Sequence, residues 1–541
     1  PLNASGKINR AALPQPGTQT ETACRDAATE NEIVLLQTVR NVLGNRSLGV
    51  DANFFAAGGD SIRAIQVAAR LLEQGWTLSV ADFFVSPVIG ELALTIRRVV
   101  NAAAQEPVSG PLRPTPVLEW FVRKITGCPE HFNQAVLLKS AEQIDAPSLQ
   151  HALEAVWRHH DALRMVYDDG RFSILPETAP FTLVVADLSA AEEPDSVILE
   201  IAETTQAGFQ LAAGPLLKAV LFRRAGGDRL LVAAHHLVVD VVSWSVFARD
   251  VESAYRMARR GEHIALPPKS HSFRDWADTL HRRAEAGTFD NEISFWKKIA
   301  EAECETIGVS GRDGTMQTMS IRVADGEVAG LFGDGASHEP LAKMLAALAC
   351  ALHRWNGMNR VRLMLEGHGR GLGDTGLDIS RTIGWFTVLW PFVLECGQEV
   401  QAAFDTVQAS LKSVPNLGAG YGVLRYLAGH EELDAIAEIS FNYIGKVELA
   451  EGLFSLADEP SGQTVNPANR PGQTFEFLLS ADGDAVIVHL SYDSGRVSPP
   501  EALRLLDLYR EWLIRAAECQ SSAFDYSDFG EGGINGFLES I

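Results

Sequence analysis

The residues of this chain with the means to do chemistry are two pairs of adjacent histidines, a glutamate at the end of an apolar strand and a serine behind two glycines. HHLVVDVVSW, His235 to Trp244, follows at once on the apolar run LLVAA, so its imidazoles emerge where a buried strand ends. A neutral imidazole can take up a proton near pH 7, and an adjacent buried carboxylate such as Asp240 can fix its tautomer and orientation. Histidines satisfied inside a core fit the same spacing, and the motif alone leaves both readings open. Zinc fits poorly, because it takes three or four N, S or O donors and no plausible third ligand lies nearby. The other pair, His159-His160 with Asp161, closes the helical run ALEAVWRHHDALRMVY, where histidines interact well with the carbonyl end of the helix. It reads as structural.

LMLEGHGR places Glu366 just past an apolar strand, with Gly367 and Gly369 expected to keep its surroundings open. Ser61 stands at the end of FFAAGGDSIRAIQV. Gly58 and Gly59 permit a tight turn, and Asp60 and Ser61 suit a helix N-terminus, so the serine is either a cap or an exposed hydroxyl able to carry a tether. Three further phrases stand out: DISRTIGWFTVLWPFVLE with Arg381 and Trp385-Phe386, the glycine-rich VPNLGAGYGVLRYL around Tyr421, and ISFNYIG with Asn442 and Tyr443. Each taken singly is compatible with core and turn chemistry.

The elements that must hold these residues follow from length and pattern. At 541 residues the chain exceeds one ordinary core. Linker composition, rich in Pro and small polar residues, marks Leu13 to Arg25 and Asn101 to Pro116. Between them, apolar spacing predicts helices at Glu30 to Leu43 (Ile33, Leu36, Val39 and Leu43), at Ile62 to Leu72 (Ile62, Ile65, Ala69 and Leu72) and at Ile89 to Val99. A small helical bundle results. From Pro116 to about Gln520, strands (134–138, 230–234, 360–365, 485–492) alternate with helices (146–159, 340–356). That pattern predicts two α/β lobes dividing near Glu285 to Phe295.

Composition narrows the classes. A net charge of −23 argues against an extended nucleic-acid surface, which needs clustered Lys and Arg. The run around Leu345 to Leu352 is too short to span a membrane and no signal peptide opens the chain, so the expected location is cytoplasmic. The six cysteines form no CxxC and are expected to be buried thiols, with neither a metal site nor a disulfide framework.

The unit around GGDSI, preceded by DANFF, resembles the peptidyl carrier proteins of nonribosomal peptide synthetases. That resemblance implies 4′-phosphopantetheine on Ser61. PLNASGKINRAALP resembles the last phrase of an adenylation domain. HHLVVDVVSW resembles the condensation superfamily, which implies two chloramphenicol-acetyltransferase-like lobes, His236 facing the reaction centre, His235 beside it, and a structural Asp240. The later phrases in their order, with TPVLEWF, HFNQAVLL and ALPPKSHSFRDWA, resemble the epimerization members of that superfamily over essentially all of Pro114 to Gln520. Two departures from the usual pattern bear on substrate fit: Trp390 where tyrosine is common, and Lys446-Val447 after FNYIG.

The resemblance implies the following organisation: an adenylation remnant at 1–14, a linker at 15–28, the carrier at 29–100, a linker at 101–113, an epimerization domain at 114–525 (lobes about 114–288 and 289–525) and a tail at 526–541. The implied activity is L-to-D inversion at the α-carbon of a carrier-bound aminoacyl or peptidyl thioester. His236 and Glu366 would be the acid/base pair, with Asn442, Tyr443 and Tyr421 near the carbonyl and Arg381 in support. The alternatives are a condensation domain using the same His236, which gives Glu366 no special task, and a silent relative that recruits a partner. Implied partners are the upstream adenylation domain, a phosphopantetheinyl transferase, and a downstream condensation domain or synthetase subunit. No metal is called for.

Overall fold

The computed structural model describes residues 25–80, 82–98, 103–307, 314–332, 339–372, 375–446, 452–469, 472–483 and 485–520. The expected adenylation remnant at 1–14, most of the linker that follows it, the tail at 526–541, Cys24 and Val447 lie outside them. The chain forms two compact units, 1–100 and 101–541.

In the first unit four helices enclose one core: α1 (Glu30–Leu43), α2 (Ser61–Glu73), α3 (Asp82–Val85) and α4 (Ile89–Thr95). Helix α1 starts at a capping box, in which Thr29 accepts from the Glu32 N–H while the Glu32 carboxylate accepts from the Thr29 N–H, and it stops at Gly44 with φ +67°. Its buried stripe is Leu35, Leu36 and Val39; Ile33, expected on that face, is 42% exposed. Helix α4 is shorter than its apolar spacing suggests. Ile96 turns extended, and Arg97–Arg98 pair antiparallel with Trp76–Thr77 while Arg98 stacks on the Trp76 ring at 4.0 Å.

The second unit holds two larger sheets. The strands of these two sheets, in chain order, are β1 (Asn133–Lys139), β2 (Leu183–Asp187), β3 (Leu217–Arg223), β4 (Arg229–His235), β5 (Met316–Val323), β6 (Arg360–Gly367), β7 (Val388–Glu395), β8 (Ile439–Lys446), β9 (Ser455–Leu456), β10 (Phe475–Asp482) and β11 (Ala485–Asp493). Three of its helices matter most here: α5 (Val241–Arg259), which follows β4, and α6 (Glu339–Asn356) and α7 (Pro499–Ala517), which cover the second sheet. The first lobe's sheet runs β9-β1-β4-β3-β2 and the second lobe's runs β5-β11-β10-β8-β6-β7. The two-lobe expectation therefore holds, but a single cut near 288 does not describe it. Strand β9 returns from the second half of the chain to pair with Leu138 and Lys139 of β1, and the Asn133 N–H donates to the Thr464 carbonyl. A segment after 450 thus belongs to the first lobe's sheet.

The second sheet is two-faced, as period-2 alternation requires. On one face Leu363, Leu365, Phe441, Phe475, Phe477, Val488 and Leu490 are fully buried against α6 and α7. Helix α6 is apolar nearly all round, the mark of a helix buried on every side, which explains the long run Leu345 to Leu352. Phe477 lies 5.3 Å from Tyr509 and 6.1 Å from Phe441, ring to ring, and its truncation to Ala should cost ~3–5 kcal/mol. The other face carries Glu366, Ser440, Asn442 and Glu476, and it is the face that concerns function.

Among the described residues the cysteines are free thiols, but only Cys350 and Cys519 are buried; Cys128, Cys304 and Cys396 are half-buried. No described helix is long and apolar enough to cross a membrane.

Candidate active site

The β1–β4 ladder pairs Asn133 with His235 and Gln134 with Ala234, and the His236 N–H extends it by donating to the Phe132 carbonyl at 2.9 Å. At His236 the chain leaves the sheet in a short turn. His235 is fully buried. Its Nε2–H donates to the Pro129 carbonyl (2.8 Å) and its Nδ1 accepts from the Leu237 N–H (3.2 Å), while burial pushes its pKa down to about 3. His235 is a fixed neutral brace.

His236 is held differently. The Trp244 indole N–H donates to Gln134 Oε1 at 2.7 Å. Indole can only donate, so Gln134 presents its amide nitrogen to His236 Nε2, 2.9 Å away. Nε2 is therefore the lone-pair nitrogen, and the ring proton sits on Nδ1, which is buried without a hydrogen bond. Phe132 stacks on the ring at 5.6 Å and Trp385 lies at 4.3 Å. Burial pushes the His236 pKa down to about 4, with the neighbouring carbonyls of His236 and Val239 and the Asp240 charge opposing it. A neutral imidazole whose lone pair is held only by a side-chain amide is a base once that amide moves aside.

Asp240 caps helix α5. Its Oδ1 accepts from both the N–H and the hydroxyl of Ser243 at 2.7 Å, and Arg370 Nη2 lies 3.0 and 3.1 Å from its two oxygens. Arg370 also donates to the carbonyls of Ile379 and Thr382 and stacks on Phe386 at 4.0 Å. The Phe386 N–H donates to Asp240 Oδ2 (3.2 Å), and Ser243 Oγ accepts from the Gly384 N–H (3.1 Å). The aspartate thus fastens the segment 384–386 of the second half to the first lobe.

Glu366 lies within β6, two residues on from Met364, which pairs with Ser440 of β8. The Asn442 amide donates to Glu366 Oε2 at 2.7 Å. Burial, helped by the charge of Glu476, pushes the Glu366 pKa up to about 7. Near neutral pH this carboxyl can be an acid or a base. Gly367 and Gly369 do not keep its surroundings open, as expected from sequence; a Cβ on Gly367 would stand 3.1 Å from the Trp390 ring, and one on Gly369, at φ +68°, would collide with the Phe386 carbonyl.

The structure ties His236 to Glu366 through one short stretch. Trp385 packs on the imidazole, and Leu389 pairs with Glu366 across β6–β7. Leu389 is four residues on from Trp385, a span of at most about 14 Å.

Other expected residues fall elsewhere. Tyr421 is buried against Trp296 (5.4 Å), and its hydroxyl donates to the Leu433 carbonyl at 3.2 Å, so it braces the core. Strand alternation puts Tyr443 on the face opposite Asn442, packed against the main core. Arg381 joins Asp250 (2.7 Å), which His160 also meets (2.8 Å), in a buried network away from Glu366. Trp390 packs on Gly418, where a Cβ would stand 2.3 Å from its ring; its register partner Leu365 is on the apolar face. That departure therefore falls in packing.

In the carrier unit Ser61 is the first residue of α2 and not its cap. Asp60 caps the helix by accepting from the Arg63 N–H at 2.7 Å, which leaves the half-exposed Ser61 hydroxyl outside the cap. Gly59 is required because a Cβ there would fall 2.3 Å from the Phe54 ring. A serine hydroxyl at the positive end of a 13-residue helix suits a phosphodiester, since the free N–H groups favour an anion.

A family model described as "Condensation domain" matches residues 117–526, and one described as "Phosphopantetheine attachment site" matches 34–96. The chain belongs to the condensation-domain family. Its condensation-type unit follows a carrier unit that takes a covalent 4′-phosphopantetheine. Surfactin synthase subunit 1 of Bacillus subtilis (strain 168) is 34% identical over 96% of the chain, and bacitracin synthase 3 of Bacillus licheniformis is 31% identical over 99%. The chain spans only 15% and 9% of their lengths. The crystal structure of the epimerization domain from the third module of tyrocidine synthetase B is 30% identical, with a TM-score of 0.72, over 77% of this chain and 98% of that one. The X-domain from teicoplanin biosynthesis, 20% identical with a TM-score of 0.60 over 77% and 97%, shows the shared fold. The condensation-type unit is thus built of two chloramphenicol-acetyltransferase-like lobes, as expected, and the chain is of nonribosomal peptide synthetase type.

Two residues of this condensation-type site were not singled out from sequence. Gln134 holds the lone pair of His236, and Arg370 pairs with Asp240. The signals existed: Asn133-Gln134 is polar at the head of a buried strand, and Arg370 closes the LMLEGHGR phrase.

Proposed function

We propose that the condensation-type unit inverts the α-carbon of an aminoacyl or peptidyl thioester carried on Ser61. The observation that supports this best is a pair of groups with opposite readiness. His236 offers a lone pair at Nε2 with its pKa held at about 4, and Glu366, with its pKa at about 7, retains a proton near neutral pH. The 30% identity to an epimerization domain points the same way. When bound, phosphopantetheine supplies a flexible arm and a thioester, which makes the α-proton more acidic than an amide would.

His236 Nε2 takes the α-proton from one face, the Gln134 amide yielding its place. The pair of electrons left behind spreads onto the carbonyl oxygen, and the α-carbon becomes planar. Glu366 returns a proton to the opposite face while Asn442 steadies its other oxygen. In the reverse direction the carboxylate takes the proton and the imidazolium returns it. Both directions use the pair with one proton on it, so both share one pH window. Phe132 and Trp385, stacked about His236, exclude water from the base.

The test is to load Ser61 with an L-aminoacyl-phosphopantetheine, hydrolyse the thioester and resolve the enantiomers. A D/L mixture is expected. Retention of pure L, with peptide-bond formation when a second carrier-bound amine is supplied, would make this a condensation domain.

A further inference from the structure

Glu476 is a carboxylate that neither the proposed chemistry nor the fold accounts for. It sits near the start of β10, half-buried on the face opposite the fully buried Phe475 and Phe477. Strand pairing puts Met364 opposite Ser440 and Ser440 opposite Glu476. Glu366, two residues along from Met364, therefore shares a face with Glu476, two strands away, and that face is the one turned from the helices. Among the described residues no ion pair or hydrogen bond holds the Glu476 carboxylate.

We propose that Glu476 is a positioning residue for Glu366: its carboxylate, set on the same sheet face, keeps a proton on Glu366. This rests on the epimerization reading and deepens it. The charge of one carboxylate on a half-buried face opposes ionisation of another on the same face, so Glu476 favours the protonated form of Glu366. The Asn442 amide accepts no proton and is spent on Glu366 Oε2, which leaves Oε1 for it. The other charged or titratable groups described on this face are engaged elsewhere: Glu438, two residues before Ser440, accepts from the Ile307 N–H and meets Arg496 at 3.5 Å. Strand β8 contributes Ser440 and Asn442, β7 contributes Leu389, and β11 contributes Ser491 and His489. His489 is engaged by Ser320 at 2.7 Å, and burial lowers its pKa. His368, two residues past Glu366, accepts from the Arg370 N–H and is kept neutral, with a pKa pushed down to about 4 by burial. Arg362 on β6 is occupied by the carbonyls of Ala300, Ala302 and Ile436. Both carboxyls are pushed up to about 7, Glu476 by burial and Glu366 by burial and the charge of Glu476.

The test is the pH dependence of α-deuterium wash-in by the full chain, loaded on Ser61 with an L-aminoacyl group. In Glu476→Gln the limb where Glu366 loses its proton should move down by about one pH unit, because the repelling charge is gone. Glu476→Asp should restore most of the original position. A folded Glu476→Gln variant whose limb stays in place overturns the proposal while leaving the epimerase reading intact. Wild-type protein without exchange at any pH overturns both. Should Glu476→Gln fail to fold, Glu476→Ser carries the test in its place, with the same downward shift expected and an unmoved limb overturning the proposal.

Discussion

Arg370 holds Asp240 by one nitrogen, Nη2, set 3.0 and 3.1 Å from the two carboxylate oxygens, and both side chains are buried. The pair joins the turn after His236 to the chain after Glu366. It is therefore the fastening on which the geometry of the proposed acid/base pair depends.

Removing one partner strands a buried charge. Arg370→Met should destabilise the unit by ~3–5 kcal/mol, and the double change Asp240→Asn with Arg370→Met should cost less than the two single costs added. Denaturant melts of the three variants read this directly. Additive losses would mean that the two residues act separately.

Gln134 covers the His236 lone pair. In Gln134→Glu the Trp244 indole still has an oxygen to donate to, but His236 faces a carboxylate in place of an amide. The charged imidazole is then favoured, so its pKa rises from about 4, and the acid limb of the exchange profile should move up by about one unit or more. The alkaline limb should hold its place.

Tyr421 is a brace, so Tyr421→Phe should cost about 1 kcal/mol of stability through the lost bond to the Leu433 carbonyl. Exchange at saturating substrate should change less than about twofold, a difference worth under about 0.5 kcal/mol. A large fall in rate with normal stability would restore a role at the substrate.

The cap and the tether separate in the carrier unit. Asp60→Ala should lower its stability by about 1 kcal/mol yet still allow phosphopantetheine loading, whereas Ser61→Ala should abolish loading with little change in melting. Intact-mass measurement after incubation with a phosphopantetheinyl transferase distinguishes the two.

Much of this was legible in the sequence because it is written in local pattern. The helix Ala146–His159 and the strand cores at Leu230 and Arg360 follow from apolar spacing, and GGDSI and HHLVVDVVSW announce themselves as short phrases. What depends on long-range pairing was not legible. No local signal shows that Ser455–Leu456 crosses back to β1, that Gln134 faces His236, or that Glu476 shares a face with Glu366. The glycines misled for a related reason: Gly367 and Gly369 read as opening space around Glu366, but each marks a close approach, to the Trp390 ring and the Phe386 carbonyl. Aromatic and amide neighbours supply the site's character only once the chain is folded.

The central claim is that two groups on opposite faces of the α-carbon, His236 and Glu366, share the inversion. The most direct measurement is a single turnover in D₂O of Glu366→Gln, loaded on Ser61 with each enantiomer in turn, scoring both deuterium and configuration. At least one enantiomer should still exchange its α-proton with retention, through His236 alone, while inversion in either direction falls to background. Inversion at the wild-type rate in Glu366→Gln would contradict that claim.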